Sequence, residues 1–158
     1  GIELDVTAKA TEHLDISFAA AMNDSEYKTF TAPGVSQLTG LIGDDFKGKQ
    51  LPQVSKYSVN LGAQYGRPIS AWDDASWFAR ADWAWKDKLF LDASNITWIK
   101  ARSVLNLRAG ITRGPLSIDA FVLNALDNDD YVSISTNVLL TPTNIFNAAA
   151  TGNGASVY

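Results

Sequence analysis

Two stretches of the chain repeat one design. Tyr57, Val59, Leu61, Ala63 and Tyr65 alternate with Ser58, Asn60, Gly62 and Gln64, and Trp77, Ala79, Ala81, Trp83 and Trp85 alternate with Phe78, Arg80, Asp82 and Ala84. Period-two alternation places the two sets on opposite faces of a β-strand. At roughly 3.3 Å per residue and a tilt of about 40°, each stretch rises ~20 Å, close to the apolar band of an outer-membrane barrel with its aromatic girdles. Aromatics at the strand ends with small alanines between them predict an apolar side that meets lipid.

Four more segments alternate in the same way. Ile2, Leu4, Val6 and Ala8 form one apolar set, and Leu14, Ile16, Phe18, Ala20 and Met22 a second. Leu105, Leu107, Ala109 and Ile111 form a third. Leu116, Ile118, Ala120 and Val122 form the last, where Phe121 and Leu123 spoil the polar side. The predicted strands are about 2–9, 14–27, 54–65, 76–86, 103–113 and 116–126. No helical periodicity of comparable length occurs. The connections alternate between short (Ala10 to His13, Gly66 to Ala75, Arg113 to Pro115) and long (Lys28 to Gln53, Lys86 to Arg102, everything after Asp127). Short turns at one end and long loops at the other are the habit of bacterial barrels, whose long loops lie outside the cell.

Composition adds limits. A chain of 158 residues is long enough for one domain with a sizeable core. The net charge is −4 with both signs scattered, so no basic patch supports nucleic-acid binding. Mean hydropathy is only −0.05, and no run approaches the ~20 apolar residues of a membrane helix. Barrel strands give a much fainter signal per segment, so that absence does not count against them. There are no cysteines, which excludes disulfides and thiolate metal sites. The chain opens on Gly1, not Met, with no charged-then-apolar leader; this reads as a piece of a longer chain whose upstream part carries any export signal.

A β-sandwich is the rival fold, because its strands alternate just as cleanly with the apolar side inward. Strand-end aromatics, mid-stripe alanines and one-sided long loops favour the barrel.

Five segments then resemble, in order, the late barrel strands of TonB-dependent outer-membrane receptors. Gly1-Ile2-Glu3-Leu4-Asp5 resembles the family's GxExE strand, and Gly48-Lys49-Gln50-Leu51-Pro52-Gln53-Val54 its G-x-x-L-P-x-x-P approach, without the last proline. Arg80-Ala81-Asp82-Trp83 is similar to the R-x-D-x-x-Y strand, and Val104 to Gly110 to the N-L-R-x-G strand. Asn124, Ala125, Leu126 and Asp127, with Tyr131 beyond, resemble the N-L-F-D-x-x-Y close of the penultimate strand, with Ala-Leu for Leu-Phe. The resemblance implies an all-β, antiparallel up-and-down meander. It would form about six strands of a roughly 22-stranded transmembrane barrel, a fragment lacking the family's final strand. It also implies a bacterial outer-membrane location and an N-terminal plug upstream. TonB would act through that plug, and a scarce small-molecule nutrient would bind at the outer loops and plug. No covalent chemistry and no cofactor are implied.

Candidate chemistry is sparse. His13 is the only histidine and falls in a predicted turn, where a solvated surface role is expected; no HExxH or P-loop pattern occurs. Asp44-Asp45, Asp73-Asp74 and Asp129-Asp130 fall in connections and read as turn formers. Asp127-Asn128-Asp129 opens like a calcium loop, but Val132 stands where that loop requires glycine, so an EF-hand is excluded. Arg80, Asp82, Asn106 and Arg108 share the face assigned to the lumen. They are expected to form a polar wall that keeps the lumen hydrated and holds the plug, with cross-strand pairs of opposite charge contributing roughly 0.2–1 kcal/mol each. A sharper reading has some of them meet passing substrate.

Tyr57, Tyr65, Trp77, Trp83 and Trp85 are expected to form the membrane girdle, where amphipathic rings sit at the lipid interface. Their spacing would equally suit a sugar-stacking platform on a soluble, secreted carbohydrate-binding sandwich, the functional alternative. A diffusion porin without a plug is a third option. Tyr27, Phe30, Phe46, Phe90, Trp98 and Phe146 are loop aromatics that could face ligand.

Overall fold

In the computed structural model of the chain, residues 1–31 and 45–130 are described in full, and 134–136 and 155–157 as backbone. All regular structure among the described residues is β. The strands are β1 (Ile2–Lys9), β2 (Leu14–Met22), β3 (Tyr57–Pro68), β4 (Ala75–Lys86), β5 (Leu89–Phe90), β6 (Trp98–Ile99), β7 (Arg102–Arg113), β8 (Leu116–Val122), β9 (Ile134–Thr136) and β10 (Ala155–Val157). No helix among the described residues is long and apolar enough to cross a membrane, which says nothing of a β-barrel.

The chain divides into two compact units. One comprises Gly1–Asn23, Ser55–Asp87 and Ala101–Asp129; the other Asp24–Val54, Lys88–Lys100 and Asp130–Tyr158. The first is a six-stranded sheet in the order β1-β2-β3-β4-β7-β8, every neighbouring pair antiparallel. This is the predicted meander, with neighbours in space that are neighbours in sequence apart from the β5–β6 excursion.

The register makes the alternation continuous across strands. One apolar row runs Val6, Phe18, Leu61, Trp83 and Leu105. The next runs Ala8, Ile16, Ala63, Ala81, Leu107 and Val122. Because the side-chain period is two, a slip of one residue in any strand would throw its whole apolar set to the other face. Matched patterns in all six strands therefore specify a single register.

The short connections are hydrogen-bonded turns. Ala10 and Thr11 donate their N–H groups to the Leu14 carbonyl, and Ile69 N donates to the Ala75 carbonyl at 2.8 Å. Gly114 sits at φ +55° in the tight Gly114-Pro115 turn between β7 and β8, a backbone conformation that suits glycine. Four strand ends differ most from expectation. β2 stops at Met22 instead of Tyr27; β3 starts at Tyr57 instead of Val54 and runs on to Pro68; β8 stops at Val122 instead of Leu126. Asn124 explains the last of these: it adopts φ +51°, a left-handed conformation that a strand cannot contain.

The second unit consists of the described parts of the long connections, and it holds most of what is buried. Phe46 is 3% exposed and Ile99 6%, and Leu91 and Ser94 are also buried. β5 and β6 pair as a small hairpin, Leu89 opposite Ile99 and Phe90 opposite Trp98. Its tip is closed by Asp92, whose carboxylate accepts from both the N–H and the hydroxyl of Ser94, and by Asn95 at φ +58°. β9 and β10 pair as a separate two-stranded ladder.

Candidate functional site

The site is the sheet itself, with two faces of different chemistry. One face is aliphatic or aromatic at nearly every position, Ser103, Arg67 and Arg113 apart, and its large side chains stand exposed. Ile2 is 67% exposed, Ile118 65% and Leu61 44%, and Leu4, Val6, Leu107, Ile111 and Val122 are exposed too. Only Ala75 in the sheet is a buried hydrophobic residue. A soluble sandwich buries this side against a second sheet about 10 Å away. The rival fold, and the secreted carbohydrate-binding module built on it, is therefore set aside.

The five girdle candidates fall into two bands on this face. Tyr57 opposes Met22, Trp85 opposes Val59 and Ser103, and Trp83 opposes Leu61 and Leu105, all toward the end from which the long connections leave. Tyr65 opposes Leu14 and Ala79, and Trp77 opposes Arg67 and Ile111, toward the short turns. The Tyr65 and Trp77 rings lie 5.7 Å apart. Between the bands runs the row from Ala8 to Val122, which carries no aromatic ring.

The opposite face carries Glu3, Asp5, Thr7, Lys9, Asp15, Ser17, Asn60, Gln64, Arg80, Asp82, Asn106, Arg108 and Asp119. The four wall candidates are all on it. Their pairing differs from the sequence expectation, however. The register sets Arg80 directly opposite Arg108, and Asp82 opposite Asn106. Like charges facing across a ladder repel, so each arginine takes a carboxylate elsewhere. Arg80 donates two hydrogen bonds, at 2.7 and 2.6 Å, to Asp82 two residues along its own strand. Arg108 donates to Asp119 on β8 at 2.8 Å and also lies over the Phe78 ring, 5.6 Å from its centroid.

Two glycines make room for these ion pairs. A Cβ on Gly62 would lie 2.5 Å from Ser17 Oγ and 3.0 Å from an Asp82 oxygen. A Cβ on Gly110 would run into the Asp119 carboxylate and lie 2.6 Å from Cε1 of Phe78. Ser17, Gly62, Phe78, Gly110 and Asp119 are thus part of this face's ionic layer, and the sequence reading missed them. Their one signal was a glycine on the polar side of a strand, which marks close approach by a neighbour.

The Asn124 motif is a turn, not the end of a strand. Asn124 Nδ2 donates to the Asn128 carbonyl at 2.9 Å, and Asn128 N donates back to Asn124 Oδ1 at 3.1 Å. Asn124 N in turn donates to Oδ1 of Asn106 at 3.0 Å, tying this motif to the N-L-R-x-G strand. Asp127 lies in the same turn at φ +50°, and Leu126 is exposed. Tyr131, Asp44 and Phe146 lie outside the described residues.

The remaining candidates have plain structural roles. His13 is half-buried, edge-on to Tyr65 at 6.2 Å, and its carbonyl accepts from Gly66 N. Asp45 caps a local turn by accepting from Lys47 N, and Asp130 pairs with Lys100 at 2.6 Å. Of the loop aromatics, Tyr27 stacks on Phe30 at 4.8 Å and Phe30 leans on Phe46 at 5.7 Å.

A meander with an uncovered apolar face, two aromatic bands and an ion-paired opposite face has the construction of a membrane-barrel wall. Residues 1–126 match the family of TonB dependent receptor-like β-barrels, and the chain belongs to that family. Its members are TonB-linked outer-membrane receptors, a transporter family and not an enzyme family, whose barrels work with a plug domain and TonB. No curated protein and no solved structure matches the chain.

Proposed function

We propose that this chain supplies a sector of barrel wall to an outer-membrane receptor that takes up a scarce nutrient, such as an iron chelate, with energy delivered through TonB. The observation that carries this reading is the bare apolar face set against an ion-paired opposite face. The apolar side meets acyl chains, with the rings of Tyr57, Trp83 and Trp85 at one interface and those of Tyr65 and Trp77 at the other. The side bearing Arg80, Asp82, Asn106 and Arg108 lines a hydrated lumen and seats the plug. The three long connections lie on the outer side and take part in capturing the nutrient; the short turns are periplasmic. In this reading β1 and β8 are joined by further strands of the same barrel, because backbone groups on an open sheet edge cannot stay unpaired in lipid.

The protein's part in transport is to bind, hold and release; no covalent step is assigned to it. The test is growth on a panel of limiting iron chelates, cobalamin and glycans, comparing strains lacking the receptor gene, lacking TonB, or complemented. Loss of growth on one nutrient in both deletion strains, restored by the receptor gene only when TonB is present, is the expected result. Unchanged uptake of every nutrient in the receptor deletion would sink the reading.

A further inference from the structure

Charge enters the apolar face of the strands at a single corner. Alternation along β3 and β7 puts Arg67 and Arg113 on the same face as Tyr65, Trp77 and Ile111. In the register Arg67 stands opposite Trp77, and Arg113 opposite Ala75 and Leu116. Both belong to the short-turn end. A guanidinium on a lipid-facing surface is costly unless its long stem carries the head to the polar interface. Arg113 is the last residue of β7 and Arg67 the last but one of β3, so that reach is short.

Their electrostatic state differs from that of the arginines on the other face. Arg80 and Arg108 are each bonded to a carboxylate. Among the described residues, neither Arg67 nor Arg113 makes an ion pair, although Asp73 and Asp74 sit in the adjoining β3–β4 turn. Arg113 instead lies over the Trp72 ring, its guanidinium carbon 5.9 Å from the centroid. Trp72 is itself 51% exposed in that turn. A groove of about 670 Å³ opens there, lined mainly by Trp72, Trp77, Ile111, Arg113, Leu116 and Ile118. That volume falls in the ~300–1,000 Å³ range of small-ligand sites. Its walls are apolar, and its rim holds a cation without a counter-charge. The backbones of β3 and β7 are about 10 Å apart across β4, a gap that two arginine side chains can close on one anion.

We infer that this corner seats one anionic phospholipid from the leaflet on the short-turn side. Its phosphate sits on Arg67 and Arg113, its glycerol lies level with the Trp72 and Trp77 rings, and one acyl chain lies along Ile111, Leu116 and Ile118. Charge complementarity selects the occupant: the groove alone would accept any hydrocarbon, and the two unpaired guanidiniums require a negative head. The inference rests on the barrel reading, since it needs this face in lipid.

The test uses the full-length receptor in phosphatidylcholine vesicles carrying an equal minor fraction of either brominated phosphatidylglycerol or brominated phosphatidylcholine. The quenching that belongs to Trp77 is obtained by subtracting a Trp77→Phe variant. We expect brominated phosphatidylglycerol to be enriched at Trp77 by at least about fivefold over brominated phosphatidylcholine. Arg67→Gln combined with Arg113→Gln should abolish that preference, and the Lys variants should retain it, with heat-modifiable gel mobility confirming that each barrel is folded. Equal quenching by the two lipids in the unaltered receptor overturns the lipid site and leaves the barrel reading intact. A Trp77 shielded from both lipids in a receptor that elutes as a dimer overturns it in favour of a second copy on this face. A Trp77 reached by neither lipid in a protein that stays out of detergent overturns the barrel reading itself.

Discussion

The sheet and the long connections are built on opposite plans. In the connections Phe46, Leu91 and Ile99 are buried, and polar side chains satisfy the backbone around them, as in a small water-soluble protein. In the sheet the large apolar residues stand exposed on one side and the ion pairs lie on the other. The difference teaches that exposure, not composition, tells what surrounds a surface. Both regions use the same aliphatic and aromatic residues, but the connections bury large ones, whereas in the sheet Ala75 alone is a buried hydrophobic residue. Water drives the burial in one region; in the proposed barrel, hydrocarbon would make it unnecessary in the other.

The contrast can be broken most forcefully at Phe46. Phe46→Ala should cost the connections about 3–5 kcal/mol of local stability, the range for truncating a buried ring. Hydrogen exchange should show faster exchange for the amides of Lys49, Gln53 and Leu91, while heat-modifiable mobility of the full receptor is unchanged. A simultaneous loss of the barrel would show that the two regions do not follow separate plans. Next in size is Ala63→Arg, in the aromatic-free row of the apolar face. If that row meets the bilayer midplane, the substitution should destabilise the barrel by about 2–4 kcal/mol in urea titrations with phospholipid vesicles. A neutral result would mean the face is not in lipid.

The smallest expected effect is on the other side of the sheet. Both partners of the Arg80–Asp82 pair keep 42% of their side-chain exposure, so Arg80→Gln should cost only about 0.2–1 kcal/mol. Its consequence should appear as altered assembly or plug seating, scored by protease sensitivity of the plug, with nutrient choice unchanged. A switch of nutrient with normal assembly would point to a direct role in substrate passage.

Much of this is legible in the sequence. Alternation alone assigned Val59, Leu61, Ala79 and Ala81 to one face and Arg80, Asp82, Asn106 and Arg108 to the other, because a strand offers each residue only two directions. What alternation does not carry is the partner across the ladder. Hence the facing of Arg80 and Arg108, and the pairing of Arg108 with Asp119, come only from the register. The end of β8 is hidden for a related reason: Asn124 turns left-handed inside a stretch whose flanking Leu123, Ala125 and Leu126 keep an apolar look. The β5–β6 hairpin escaped notice for another reason: two residues per strand are too few to show a period. Phe46 read as a free loop aromatic and is instead the most buried hydrophobic side chain described.

One small contact has a wide reach. Gln50 N donates to Oδ1 of Asn95 at 2.7 Å, and Asn95 Nδ2 donates back to the Gln50 carbonyl at 2.9 Å. A side-chain amide here imitates the peptide of an adjacent ladder, clasping the first long connection to the second across forty-five positions of chain. Neither connection can therefore be displaced alone without stranding a donor and an acceptor on the other, so whatever pulls on one tugs both.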